Sequence, residues 1–416
     1  MQEITSVHTL PSRNDSERPR NVAIFAPTAY GGHARYTQEF LEALAEVGQS
    51  RGIRPRLITS EDLAPEHRTS AYPIHDVLPK LIPRAAFRGK LSWAQSRLTH
   101  YQRRENRLLQ WVESQRDLDL IHFQEHPPWR ARGVFRAIRG RGITVVETVH
   151  NITKHRYING IHRVIDEAVV RAARRECDAL CVHTDGLVGE LSAFLGPNHP
   201  PIHVTPHGVW SVSKKNGEPE KSSQGSLETL LFFGVIRENK GLHVLIKAMN
   251  SLPELKLIIA GNPESSSYMG MIHEMVDRLA PGRVEIIERF ISEVEAAELF
   301  ERCGLVVMPY TSFGSQSGVL HQGLAHGRPV VVSDVGALGE SVRNWGIGEV
   351  VPANDEHALA KAIVSALDPQ RHRRFVDACE HAREGLSWTR TAEQTINVYE
   401  MALNARHAQR TVGASL

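Results

Sequence analysis

The chain has 416 residues, too many for one ordinary domain, so two are expected. Its composition is that of a soluble globular protein and its formal net charge is only +2, which argues against the molecule as a whole binding a polyanion such as nucleic acid. The four cysteines, Cys177, Cys181, Cys303 and Cys379, form no CxxC pair and no zinc spacing; they read as core thiols in a reducing, cytoplasmic setting.

Residues 1–19 are polar, lack the hydrophobic segment of a secretory signal, and are expected to form a tail. Residues 21–26 are a short apolar run ending at Pro27 and predict a buried strand. A Gly31-Gly32 turn follows, then a helix over about 34–48 with Tyr36, Phe40, Leu41, Leu44 and Val47 on its apolar face. Further strands are predicted at 55–59, 118–123, 144–149 and 179–183, with helical segments between them. Residues 79–141 hold 14 Arg plus Lys against 5 Asp plus Glu. Within them, 87–112 reads as a basic amphipathic helix. Phe87, Leu91, Ala94, Leu98, Tyr101, Leu108 and Val112 fall near one face; Arg88, Lys90, Arg97, Arg103, Arg104 and Arg107 fill the rest. Such a helix suits an anionic membrane surface or a lipid-diphosphate acceptor, or else packs on the first domain with a solvated basic face. No apolar run reaches the roughly 18 residues that span a bilayer.

Residues 211–226 are rich in Ser, Lys, Gly and Glu, a linker composition. A second alternating series follows, with strands at 230–234, 255–260, 284–287, 305–308 and 329–332. The expected fold class is α/β: two Rossmann-like domains facing each other across a cleft. The expected division is an acceptor-binding domain at 20–210, a linker at 211–226, a donor-binding domain at 227–387, and a C-terminal helix at 388–410.

Several strand-end segments carry chemistry. Ser315-Gln316-Ser317-Gly318-Val319 places small residues where a loop turns into a helix, a seat for a phosphate built from unpaired amides and hydroxyls. Gln322 and His321 lie just beyond it. Arg237 and Lys240 follow an apolar strand, as a bidentate guanidinium and a mobile point charge. Together these suggest a diphosphate ligand. In the first half, Gly31-Gly32-His33 opens a helix and lets backbone approach a ligand, although it is also a plain tight turn and lacks the full dinucleotide fingerprint. His150 ends a strand facing the cleft and can hydrogen-bond a sugar hydroxyl or phosphate. Glu125 and His126 follow another strand as acceptor-side candidates. His122, His183 and His207 share that strand-end pattern as weaker ones.

These stretches, with Thr148-Val149-His150-Asn151, Thr205-Pro206-His207-Gly208-Val209, Phe233-Gly234, Ile258-Ile259-Ala260-Gly261 and Gly327-Arg328-Pro329, resemble the GT-B glycosyltransferases, specifically the large retaining family 4, over residues 20–400. The resemblance implies a nucleotide-sugar donor held mainly by the second half, no metal or other cofactor, and a last helix crossing back to the first domain. It implies Arg237, Lys240 and His150 as catalytic residues, and Gly31, Gly32, Ser315 to Val319 and Gln322 as donor-binding residues. Where the family carries two glutamates, this sequence has Ser315 and Gln322, in a loop resembling a Ser-Gln-Ser-Gly-Val subgroup; sugar identity and donor affinity are the properties this touches. The acceptor expected is a glycan, a lipid-linked glycan or a small molecule. A non-catalytic nucleotide-sugar-binding scaffold is the alternative of a different class.

Overall fold

A computed structural model describes residues 18–80, 90–125, 130–152, 161–212, 225–313 and 317–414. The first sheet is built from β1 (Arg20–Phe25), β2 (Ile53–Ser60), β3 (Ile74–Leu78), β4 (Leu118–Phe123), β5 (Thr144–Thr148), β6 (Ala179–Val182) and β7 (Ile202–Val204). All pairings are parallel, in the order β3-β2-β1-β4-β5-β6-β7. The second sheet comprises β8 (Ser226–Phe233), β9 (Lys256–Ala260), β10 (Val284–Ile287), β11 (Cys303–Met308), β12 (Val330–Ser333) and β13 (Gly348–Val351), in the order β10-β9-β8-β11-β12-β13. Each sheet reverses direction once, at β1/β4 and at β8/β11. In open parallel sheets that is where a crevice forms beyond the strand ends and a ligand enters.

The helices of the first half are α1 (Gly31–Ser50), α2 (Lys90–Ser114), α3 (Ala131–Gly140), α4 (Ile161–Arg174) and α5 (Asp185–Leu195). Those that follow are α6 (Leu242–Met249), α7 (Ser266–Leu279), α8 (Glu293–Arg302), α9 (Gly318–Ala325), α10 (Ala337–Trp345), α11 (Glu356–Ala366), α12 (Pro369–Gly385) and α13 (Trp388–Ala414). Central strands are apolar because both faces are covered. Val22 and Ile24 point into one core group with Phe40, Leu41 and Leu44, while Ala23 and Phe25 point into another with Phe123 and Phe135. The final helix, α13, returns to the first domain. Its Ile396 and Tyr399 join the core beside α1, where the Tyr399 hydroxyl pairs with His122 Nδ1 at 2.7 Å.

Three details differ from the sequence reading. The helix after β1 begins at Gly31 rather than near residue 34, and Gly31 enters it with a φ of +75°, which glycine adopts without strain. On α2, Leu98 is exposed, and Arg104, expected on the solvated face, is buried with its Nη2 donating to Pro27 O at 3.1 Å. Leu108 and Val112 do face the core. The side chains of Phe87, Leu91 and Ala94 lie outside the described residues. The edge strands β3, β7 and β13 escaped the pattern, because half-exposed edges carry mixed polarity.

Candidate active site

Two loops meet at the β8/β11 switch point. Gly234 ends β8 with φ of +99°, and an added Cβ there would lie 3.2 Å from Val319 Cγ2 and 3.4 Å from Lys240 Nζ. The Lys240 ammonium therefore sits beside the first turn of α9. It also lies 5.1 Å from the centroid of Tyr310, a cation–π contact. Hydrogen bonds lace the loops together: Thr311 N donates to Asn239 O at 2.9 Å, and the Asn239 side-chain Nδ2 to Ser312 O at 3.1 Å. Gly241 (φ +68°) lets them close up, since a Cβ there would overlap Pro309 O at 1.9 Å. Ser317 is the N-cap of α9 by position, yet its hydroxyl makes no cap bond. It lies instead 3.3 Å from the Tyr310 hydroxyl. Among the described residues no side chain caps α9, and a helix start presents amide donors and a positive dipole end that attract an anion, here with a cation alongside.

Of the two expected cations, only Lys240 is brought to α9 by these contacts. Arg237 is half-exposed, and its Nε stands 3.1 Å from Glu264 Oε2. Ser315, Gln316 and His126 lie outside the described residues. His321, expected near the pocket, is buried on α9 and stacks on His207, with ring centroids 4.0 Å apart.

In the first domain the structure groups several expected residues at the ends of β1, β4 and β5. Backbone at Gly31 and Gly32 faces open space, for an added Cβ at either meets nothing within 4 Å. Glu125 accepts the Thr28 hydroxyl at 2.6 Å, and His33 Nδ1 lies 3.6 Å from the same carboxylate oxygen. The His33 ring stands edge-on to His150 at 5.2 Å. His150 is held at both nitrogens: Nδ1 is 3.0 Å from His183 Nε2, and Nε2 is 3.0 Å from the Gln124 amide. His183 Nδ1 faces the Thr205 carbonyl at 2.9 Å and must donate to it. Its Nε2 is then the acceptor, so His150 donates through Nδ1 and presents a lone pair at Nε2. A half-turn of the Gln124 amide offers its NH2 to that lone pair and gives Gln124 Nε2 the partner it otherwise lacks. Burial first, then the neighbouring His183 and His33, holds His150 well below the ordinary histidine range; burial pulls His183 down to about 4. Both rings are neutral near pH 7.

Gln124, Tyr36, Trp210 and the tautomer-setting role of His183 were missed from sequence. Each acts through partners distant in the chain. Tyr36 packs against both His150 (4.8 Å) and His207 (4.9 Å), and Trp210 Nε1 donates to Gly318 O at 3.0 Å. The segment between the domains is thereby fastened to the start of α9. Arg35 braces it from α1, donating to Ser211 O at 2.7 Å while lying 3.3 Å from Glu293 of α8.

Two switch points face the cleft, with a cation beside a helix start on one side, and comparison with known proteins places this architecture. Residues 30–210 match the model of Glycosyltransferase Family 4, and residues 228–369 match that of Glycosyl transferases group 1. The chain belongs to this glycosyltransferase group 1 and family 4 superfamily and has the GT-B fold. It is 27% identical to the glycogen synthase of Mycobacterium tuberculosis over 64% of this chain and 65% of that protein, so the match spans just under two thirds of that relative. It is 27% identical to the phosphatidyl-myo-inositol mannosyltransferase of Mycobacterium leprae, over 87% of this chain and 92% of that protein. A solved Anabaena structure in complex with UDP and glucose shares the fold, with TM-score 0.68 and 17% identity over 92% of this chain and 100% of that one.

Proposed function

We propose that the protein is a retaining glycosyltransferase that moves a sugar from an NDP-sugar to a glycan or lipid-linked acceptor in surface polysaccharide or lipid-linked glycan assembly, without a metal. The observation that carries this reading is Lys240 beside the start of α9. As the glycosidic bond to the donor breaks, negative charge grows on the diphosphate, and the ammonium and amides are aimed at that charge before the reaction begins. Arg237 leaves Glu264 for the diphosphate; the half-exposed ion pair it gives up is a weak one. The departing phosphate oxygen takes the acceptor proton on the same face, so the sugar keeps its configuration. Neutral His150 positions the sugar and acceptor from the opposite domain, and Glu125 and His33 line the acceptor side. Engaged domains keep water from the activated sugar.

The lipid-linked acceptor is supported by the mannosyltransferase relative and by the exposed Arg103 and Arg107 of α2, which suit the inner face of an anionic membrane. No described helix is long and apolar enough to cross a membrane. The test is incubation with UDP-, GDP- and ADP-sugars, following nucleotide release with and without glycan or lipid acceptors and the anomeric configuration of the product. Acceptor-dependent release with retained configuration is expected. Inverted product, or no release with any donor, overturns the reading.

A further inference from the structure

The two domains touch at a second place, away from Trp210 and Arg35. Glu340, in the first turn of α10, belongs to the second domain, yet its carboxylate reaches the start of α5 in the first. Oε1 accepts the Gly186 amide at 3.0 Å and Oε2 accepts the Thr184 hydroxyl at 3.0 Å. Thr184 is itself the N-cap of α5, accepting from Leu187 N. One carboxylate thus completes the cap of a helix in the opposite domain, where unpaired amides and the helix dipole favour an anion. Gly186 is exposed and helical without a positive φ, so its backbone has no need of glycine. An added Cβ would nevertheless lie 2.3 Å from Glu340 Oε2 and 3.0 Å from its Cδ. The missing side chain makes room for the carboxylate. Ala337, one turn before Glu340, is buried in a core group of the first domain, so the start of α10 is seated there.

The position of this contact gives it a role. α5 leaves the end of β6, next to β5, whose end carries His150. α10 leaves the end of β12, next to β11, whose following loop leads to α9. We propose that Glu340 is a positioning residue: its cap on α5 sets the separation between His150 and the Lys240–α9 seat. This inference concerns how the domains are held and stands apart from the functional reading, which only its kinetic readout shares.

The experiment is a double-mutant cycle on the full chain with Glu340→Ala, Gly186→Ala and the pair, together with Glu340→Gln. The ligand-free proteins are measured by small-angle scattering and by hydrogen exchange at the first turn of α5. Turnover is then followed with whichever of UDP-, GDP- and ADP-glucose is active. Glu340→Ala and Gly186→Ala should each enlarge the radius of gyration and speed exchange at α5. Each should also lower kcat by about tenfold, the size of one charge-assisted hydrogen bond. Gly186→Ala favours an isolated helix, so its loss of activity would not come from α5 unfolding. The pair should be no worse than Glu340→Ala, because the added methyl clashes only with the carboxylate. Glu340→Gln, which keeps an acceptor oxygen, should recover part of the loss. Unchanged scattering and exchange in both single variants, or losses that add in the pair, overturn the proposal. Because scattering and exchange need no substrate, failure to find a donor would count against the functional reading and leave this test decisive.

Discussion

His183 Nε2 stands 3.0 Å from His150 Nδ1, and the Thr205 carbonyl behind His183 decides the direction of that hydrogen bond. The proton on each ring is thereby assigned, and His150 meets the cleft as a neutral ring of fixed tautomer. Replacing His183 by Ala should leave His150 free to change tautomer and rotamer. We expect kcat to fall by about tenfold, comparable to loss of one buried hydrogen bond, with a smaller change in KM for the donor. The ring nitrogens of His150, read by 15N NMR, should shift from a single tautomer to a mixture. An unchanged 15N pattern would contradict the assignment.

The donor seat makes a sharper demand. Lys240→Ala and Arg237→Ala should each reduce turnover by roughly a hundredfold if each acts like one donor to a developing oxyanion. Glu264→Ala should leave turnover nearly unchanged or improve donor KM, since in the proposed mechanism Arg237 exchanges its ion pair with Glu264 for the diphosphate. Near-native turnover in both cation variants would remove the mechanism.

Stability should depend on pH through the buried histidines. Burial pulls His122 and His321 down to about 3 and His183 to about 4. Unfolded histidines titrate near 6.5, so below that pH the unfolded chain binds more protons than the folded one. Stability is therefore full above about pH 6.5 and is lost as pH falls toward the folded values, by up to about 1.4 kcal/mol per histidine per pH unit. Urea midpoints at pH 7.5 and 5.5 test this. The lower-pH midpoint should be smaller, and His122→Gln should blunt the difference; equal midpoints would contradict it.

The returning helix makes a separable contribution. His122 spans from Thr148 on β5 to Tyr399 on α13, 2.7 Å to each. Tyr399→Phe should cost about 1–2 kcal/mol by leaving a buried ring nitrogen without its partner. Tyr399→Ala should cost about 3–5 kcal/mol by adding a cavity. Equal melting temperatures for Tyr399→Phe and wild type would mean the bond contributes nothing.

Most of the fold was legible because parallel strands covered on both faces read as apolar runs. The run at 118–123 coincides with β4, and the run at 305–308 lies within β11, whose residues are all buried. Edge strands such as β7, with no fully buried residue, gave no such signal. Helical periodicity placed Leu108 and Val112 correctly but misplaced Leu98 and Arg104, because a guanidinium can be buried where it finds a carbonyl such as Pro27 O. In the site, glycines and cations beside strand ends announced themselves. The Gln124–His150–His183–Thr205 chain and the Glu340 cap did not. Their partners lie 22 to 156 residues apart, and only the packed sheets bring them together.

On the proposed function, Lys240 and the start of α9 grip a nucleoside diphosphate. Calorimetric titration of UDP, GDP and ADP into wild type and Lys240→Ala tests it most directly. At least one nucleotide should bind the wild type, and its Kd should rise about tenfold or more in the variant, the size of a charge-assisted hydrogen bond. Equal affinities in the two proteins, or no binding of any of the three to wild type, would contradict it.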